Sequence, residues 1–209
     1  MTLLPHWQRT LTVALLPLLA ACSSLAPLPS AAPVASQAAE RRLAENIELG
    51  GRLSVRYQGP QKEEAVHGSF TWTQAPSQTR ITLLSPLGQT IAIIDVSPQG
   101  ASLSQAGQPV RRAADVDALT AQTLGWPLPV AGLREWLQGI AHSASGQRFV
   151  ATPEASEVTT RDGWRIRYAN WQPDTSSPQA RPKRIDLVRN TQQAGEVSIR
   201  IAIDSWQEH

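Results

Sequence analysis

The side chains that could do covalent chemistry are few. Cys22 is the only cysteine in 209 residues, so it has no intramolecular disulfide partner. An unpaired thiol in an oxidising compartment calls for another fate, and acylation is one. Of the four histidines, His6 stands near the start and His209 at the end. His67 falls in a strand pattern and His142 in a loop of small residues, neither with a second ligand at a metal-binding spacing. The chain contains no H-E-x-x-H, no carboxylate-rich loop, no G-x-S-x-G or S-x-x-K, no P-loop and no dinucleotide fingerprint. These absences argue against an enzyme, a metal centre or a cofactor, though a hydrolase assembled around His67 or His142 from distant residues stays conceivable.

The surroundings of Cys22 give its thiol a role. Residues 1–9 carry Arg9 and no acid, and lead into the apolar run Leu11-Thr-Val-Ala-Leu-Leu-Pro-Leu-Leu-Ala-Ala21, the layout of a signal peptide. A spanning helix needs about 20 apolar residues, and this run is shorter and holds Pro17. Leu19-Ala20-Ala21-Cys22 resembles a bacterial lipobox, in which the thiol is acylated and the chain is then cut before the cysteine. Ser23 follows where an aspartate would retain such a protein at the inner membrane, so the outer membrane is the expected destination. Residues 1–21 are thus read as signal peptide and residues 22–36 as a lipidated cysteine with a tether. The tether, with three prolines and no charge, could hold the protein up to roughly 40 Å from a bilayer. Residues 37–209 are expected to form one domain. Without Arg9 the chain has 18 basic and 17 acidic residues, net +1. No basic run or helix suggests nucleic acid, and Arg41-Arg42 and Arg111-Arg112 read as isolated solvated pairs.

The elements that would carry these residues follow from periodicity. Ala39, Leu43 and Ile47, four apart behind Ser36, predict a helix over residues 37–47 stopped by Gly50-Gly51. Period-two segments then take over: Leu53, Val55 and Tyr57; Val66, Gly68, Phe70 and Trp72; and residues 80–85, 89–96 and 101–105, separated by Pro86-Leu87-Gly88 and Pro98-Gln99-Gly100. Helices are expected over Asp115–Leu124 and Val130–Ile140, the second with Leu133, Trp136, Leu137 and Ile140 on one stripe. Alternation returns at Trp164, Ile166 and Tyr168, at Ile185 and Leu187, and most plainly at Val197, Ile199, Ile201 and Ile203. Short connections imply antiparallel pairing. A sheet with one apolar face must close or be covered, so the expected fold is mainly β (α+β), a curved antiparallel sheet with a helical cover.

Seven tryptophans against two phenylalanines and two tyrosines is an unusual balance, and such rings can fill a core or line a hollow. The loop Ser85-Pro86-Leu87-Gly88 has proline and glycine where a turn wants them, which leaves Leu87 at the tip. Two placements stay open by pattern alone: Leu87 folded back onto the core, or Leu87 as an apolar probe for a bilayer or another protein.

The lipobox, Arg80-Ile-Thr-Leu-Leu-Ser-Pro-Leu-Gly88, Trp126-Pro-Leu-Pro129 with Leu133-Arg-Glu-Trp136, and Trp164-Arg-Ile-Arg-Tyr168 together resemble, in order and spacing over residues 40–206, the LolB family of outer-membrane lipoprotein receptors. The resemblance implies an incomplete antiparallel β-barrel with helices over a hydrophobic cavity, a fold shared with the soluble carrier LolA. It implies a monomer, lipid-anchored at Cys22 in the outer membrane and facing the periplasm. Such a protein takes lipoproteins from LolA and inserts them into the inner leaflet of that membrane without ATP. An acyl chain exposed to water costs on the order of 10 kcal/mol, at about 0.8 kcal/mol per methylene, so a carrier must hide it. By the same resemblance Pro86, Leu87 and Gly88 form a membrane-insertion loop acting on phospholipid, and Trp72, Trp136 and Trp164 are candidates for the cavity wall. The rival from another class is a structural adaptor lipoprotein of an envelope assembly, which predicts a filled core.

Overall fold

The computed structural model describes residues 41–59, 61–124, 128–173 and 179–209. The expected signal peptide, Cys22, the tether and Trp126 lie outside the described residues. Alternation of apolar and polar side chains becomes strand throughout. Strands β1 (Ile47–Gln58), β2 (Glu63–Gln74), β3 (Thr79–Leu84), β4 (Thr90–Ser97), β5 (Gly100–Ser104) and β6 (Arg111–Ala113) follow one another as a meander. Helices α1 (Val116–Leu124) and α2 (Val130–Trp136) come next, then a ribbon of β7 (Ile140–His142) and β8 (Arg148–Val150). A second meander of β9 (Glu157–Thr159), β10 (Arg165–Gln172), β11 (Arg181–Thr191) and β12 (Gly195–Glu208) ends the chain.

The two meanders are joined by β1 and β12, which pair antiparallel with Val55 opposite Ile199 and Leu53 opposite Ile201. One sheet of ten strands results, in the order β6-β5-β4-β3-β2-β1-β12-β11-β10-β9. Its end strands β6 and β9 are not paired with each other, so the curved sheet is open and not a closed barrel. Val197, Ile199, Ile201 and Ile203 of β12 are all buried, with Ile185 and Leu187 of β11 and Ile166 and Tyr168 of β10 beside them. Val116 and Leu119 of α1 and Val130, Leu133 and Trp136 of α2 cover that apolar face. Asp115 starts α1, its carboxylate accepting the Ala118 N–H at 2.7 Å, as an N-cap does. Thr120 in α1 ties that helix to the segment that enters α2. Its hydroxyl donates to the Asp117 carbonyl and accepts the Leu128 N–H at 3.0 Å.

Four expectations are corrected. Residues 41–46 are not helical, and Ile47 opens β1. The backbone of Ala44 finds its partners elsewhere: its N–H donates to Gln138 Oε1 at 2.8 Å, and its carbonyl accepts from the Nε2 groups of Gln138 and Gln74. Those bonds replace what a helix would supply, and Ile47 and Leu49 fit the alternation of β1. Gly50 and Gly51 therefore stop no helix; they sit inside β1, where its register against β12 shifts. A methyl group on Gly51 would run into the Ala202 carbonyl and meet the Phe70 ring at 2.9 Å. Gly51→Val should accordingly cost about 3 kcal/mol. Thermal unfolding checks this, with a midpoint lowered by roughly 10 °C expected. Finally, α2 ends at Trp136 and not at Ile140, because Gly139 turns into the left-handed region (φ 77°) and donates its N–H to the Trp136 carbonyl. Leu137 and Ile140 stay buried all the same, and His142, expected in a loop, closes β7.

Candidate functional site

Inward-facing side chains of five neighbouring strands do not meet the helical cover everywhere. Between them lies an apolar cavity of about 160 Å³. Its sheet side is built by Leu53, Val55 and Tyr57 of β1, Phe70 and Trp72 of β2, Ile81 and Leu83 of β3, Ile94 of β4, and Ile199 and Ile201 of β12. Its roof is Leu124, Leu128, Val130, Leu133 and Leu137. Two lining residues carry a polar side-chain group, Trp72, whose indole N–H donates to Gln74 at 3.2 Å, and Tyr57. For Tyr57 the group is a phenol. Its hydroxyl donates to Glu64 at 2.7 Å, and that bond, ahead of burial, pushes the phenol's pKa up. Everything else in the lining is hydrocarbon or indole, so the space suits an apolar ligand with no charge inside.

Val66 and Leu124 mark where the cavity opens: both line it, yet they are 45% and 46% exposed. The loop Ser85–Gln89 stands at this same end of the sheet. Ser69 pairs with Leu84, so the chain leaves β3 just beyond Gly68, two residues from Val66. The loop's geometry follows from its residues. The Gly88 N–H donates to the Ser85 carbonyl at 2.9 Å and the Ser85 N–H to the Gln89 carbonyl at 2.8 Å. Gly88 takes φ of 80°, which glycine adopts without strain. The Ser85 hydroxyl accepts the N–H groups of Leu87 and Gln89. Held this way, Leu87 is 88% exposed, the most exposed of the large apolar side chains described. Of the two placements open by pattern, it takes the one in solvent.

Of the three tryptophans expected at the wall, Trp72 lines the cavity and Trp136 and Trp164 do not. Those two are buried beside each other, ring centroids 6.5 Å apart, and Arg189 lies over the Trp164 ring. Leu83, Ile94, Leu124 and Leu128 line the cavity without having been singled out by sequence. The first two sat in expected strands, and their inward direction could be read from alternation once β2 fixed the register. His67 lies on the outer face of β2, and His142 Nδ1 lies 3.1 Å from Glu135 Oε2. Among the described residues no group of three or more His, Cys, Asp or Glu could hold a metal.

Residues 45–206 match the family described as outer membrane lipoprotein LolB. The chain belongs to the LolB family. It is 40% identical over 192 residues to the outer-membrane lipoprotein LolB of Cupriavidus taiwanensis, covering 90% of each chain. It is 37% identical over 191 residues to the LolB of Thiobacillus denitrificans, covering 90% of this chain and 91% of that one. A solved structure of a DUF1329 family protein from Desulfovibrio piger superposes with a TM-score of 0.50 at 10% identity, covering 83% of this chain and 90% of the other. That likeness concerns the fold alone. For a LolB-family chain, the cavity and the exposed loop leucine are the features to explain.

The opposite, outer face of the sheet is polar and carries ion pairs. Arg52 grips Asp204 with two bonds of 2.9 and 3.0 Å, while Asp186 accepts from both Arg184 and Arg200. Burial pushes the Asp186 carboxyl up, but the two arginines outweigh it and hold it below the ordinary carboxylate value. The hydrogen bond from Arg52 does the same for Asp204. Both groups bind protons less tightly folded than unfolded. Their stabilisation is therefore complete above the ordinary carboxylate pKa of about 4 and is lost as pH falls through the lowered folded values. Urea midpoints should be flat from neutral pH to about 5 and fall below about 4, with a smaller fall in Asp186→Asn.

Proposed function

We propose that this chain receives lipoproteins from the periplasmic carrier LolA, shelters their acyl chains, and delivers them to the inner leaflet of the outer membrane. A lipid on Cys22 would anchor it there as a monomer, and Leu87 would be the group that enters the bilayer. Membership of the LolB family supports the role. The observation that carries the mechanism is an apolar cavity opening at the same end of the sheet as a leucine held in solvent. A structural adaptor would want a filled core, and a hydrolase a polar cluster at the pocket; a hollow lined by hydrocarbon favours neither.

The cavity's size adds a physical step. About 160 Å³ is the scale of a void that admits one benzene, much less than a whole acyl chain. Binding must therefore widen the cavity, and the roof is the side that would yield, because the cavity's strands are hydrogen-bonded to one another in one sheet whereas the helices only pack on it: α1 rests on β5 and β6 near the sheet's end, and α2 on β7. Ordering that movement draws on the energy of hiding the chain, on the order of 10 kcal/mol. No nucleotide is then needed, provided affinity rises from carrier to receptor to bilayer.

The test uses the chain from Ser23 onward, mixed with LolA loaded with a labelled lipoprotein and then with liposomes, without ATP. Label should move to this protein and then to the liposomes. If none leaves LolA, the transfer role is wrong and the envelope adaptor replaces it.

A further inference from the structure

Beside the loop, on the outer face, lies a groove that the transfer role leaves unexplained. Ser54 of β1 pairs with Arg200 of β12 on one side and His67 of β2 on the other, forming one cross-strand row. The next row is Ala202, Arg52 and Ser69, and Ser69 pairs with Leu84 at the end of β3. Continuing that register by two residues brings the His67 row to Pro86, the residue before Leu87 in the turn. Three strand spacings of about 4.8 Å separate Pro86 from the strand of Arg200. Arg52, Ser54, His67, Ser69, Pro86 and Arg200 border a groove of about 460 Å³, and no carboxylate lines it.

The chemistry of this groove is that of a phosphate site. The Arg52 and Arg200 side chains are 70% and 59% exposed. Each is braced from behind, Arg52 by Asp204 and Arg200 by Asp186. A guanidinium has five N–H donors. Arg52 spends two of its nitrogens on Asp204 and Arg200 one on Asp186, which leaves donors on both for a second anion. Arginine forks match phosphate oxygens well, and the Ser54 and Ser69 hydroxyls and the His67 ring add donors. A single leucine entering a bilayer gives weak, unoriented attachment, and stable contact takes a second signal such as basic groups on anionic lipid. The groove stands where that second signal would be needed, at the foot of the turn whose tip enters the acyl layer.

We propose that this groove holds the phosphodiester headgroup of an anionic phospholipid while Leu87 is inserted, which sets the depth and orientation of the loop. This rests on the reading of Leu87 as a membrane-entering residue. The test is vesicle flotation with the chain from Ser23 onward, which keeps every described residue and a core built from residues 47–203. Vesicles are phosphatidylcholine alone or phosphatidylcholine with phosphatidylglycerol. Wild type should prefer the phosphatidylglycerol vesicles. Arg52→Gln with Arg200→Gln should reduce that binding about tenfold and leave binding to neutral vesicles unchanged. Arg52→Lys with Arg200→Lys, which keeps the charge but loses the fork, should retain only part of it, and Arg165→Gln with Arg167→Gln, farther along the sheet, all of it. Inorganic phosphate at matched ionic strength should not displace the protein. Equal binding of wild type to both vesicles, equal loss in the Arg165/Arg167 pair, or displacement by inorganic phosphate each overturns the proposal. Leu87→Glu reads the loop separately: it should weaken binding to both vesicle types. If it changes neither while the arginine effect persists, the loop reading fails and the groove remains.

Discussion

Leu87→Glu is expected to accept cargo from LolA at the wild-type level and to deliver it to liposomes on the order of thirtyfold more slowly. The separation follows from where the side chain is. At 88% exposure Leu87 supports no packing, so replacing it should change stability by no more than about 0.5 kcal/mol. It is also absent from the cavity lining, so uptake should not sense the change. Transfer of a leucine side chain into hydrocarbon is worth about 2 kcal/mol, and a factor of ten corresponds to about 1.4 kcal/mol. Losing that transfer alone gives the thirtyfold, and a carboxylate facing a bilayer can only add to it. Leu87→Ala should fall between, and stopped-flow transfer of a labelled lipoprotein measures all three. A Leu87→Glu protein that delivers at the wild-type rate removes the loop from the mechanism and leaves its exposed leucine without a role. One that fails at uptake instead would mean that the loop docks the carrier.

The loop was legible in the sequence because turns are local. Proline, a free position and glycine between two alternating segments dictate a tight connection, and Gly88 does adopt the left-handed conformation. What the pattern left open was the direction of Leu87, which depends on whether any neighbour covers it. Strands with strict alternation were legible for the same reason, and β12 runs through Val197, Ile199, Ile201 and Ile203 as expected. Residues 41–47 show the converse. A four-residue apolar spacing is only a weak reason for helix, and two glutamines far along the chain, Gln74 and Gln138, take the backbone of Ala44 instead. Gly50-Gly51 misled for a related reason: a glycine pair that looks like a stop can equally be a place where strands press close. The cavity was expected only from the family resemblance, and its lining could not be read from residue pattern. Trp136 and Trp164 have the same residue type as Trp72, yet only Trp72 faces the hollow, and which ring meets another and which meets a gap depends on packing across the whole sheet.

A gap is also testable by closing it. Val55 stands in the middle of β1, opposite Ile199 on one side and Val66 on the other, and lines the cavity. Val55→Phe directs an added ring into a space of benzene size, so the phenyl takes the room that an acyl chain would use first. Filling a void commonly adds about 0.5–2 kcal/mol of stability, whereas forcing a ring into a filled core costs about 1–3 kcal/mol. The melting temperature should therefore hold or rise, while affinity for a fluorescent fatty-acyl probe falls at least about tenfold, since the incoming chain must now displace a packed ring as well as move the roof. The two readouts together decide more than either alone. A protein that melts higher and no longer binds the probe locates the acyl chain in this cavity. A protein that melts higher and binds as before sends the chain elsewhere on the surface. A clear loss of stability would mean that the side chains around Val55 cannot receive the ring. The small volume would then belong to a tight core, and widening of the roof would have to supply nearly all the space that cargo occupies.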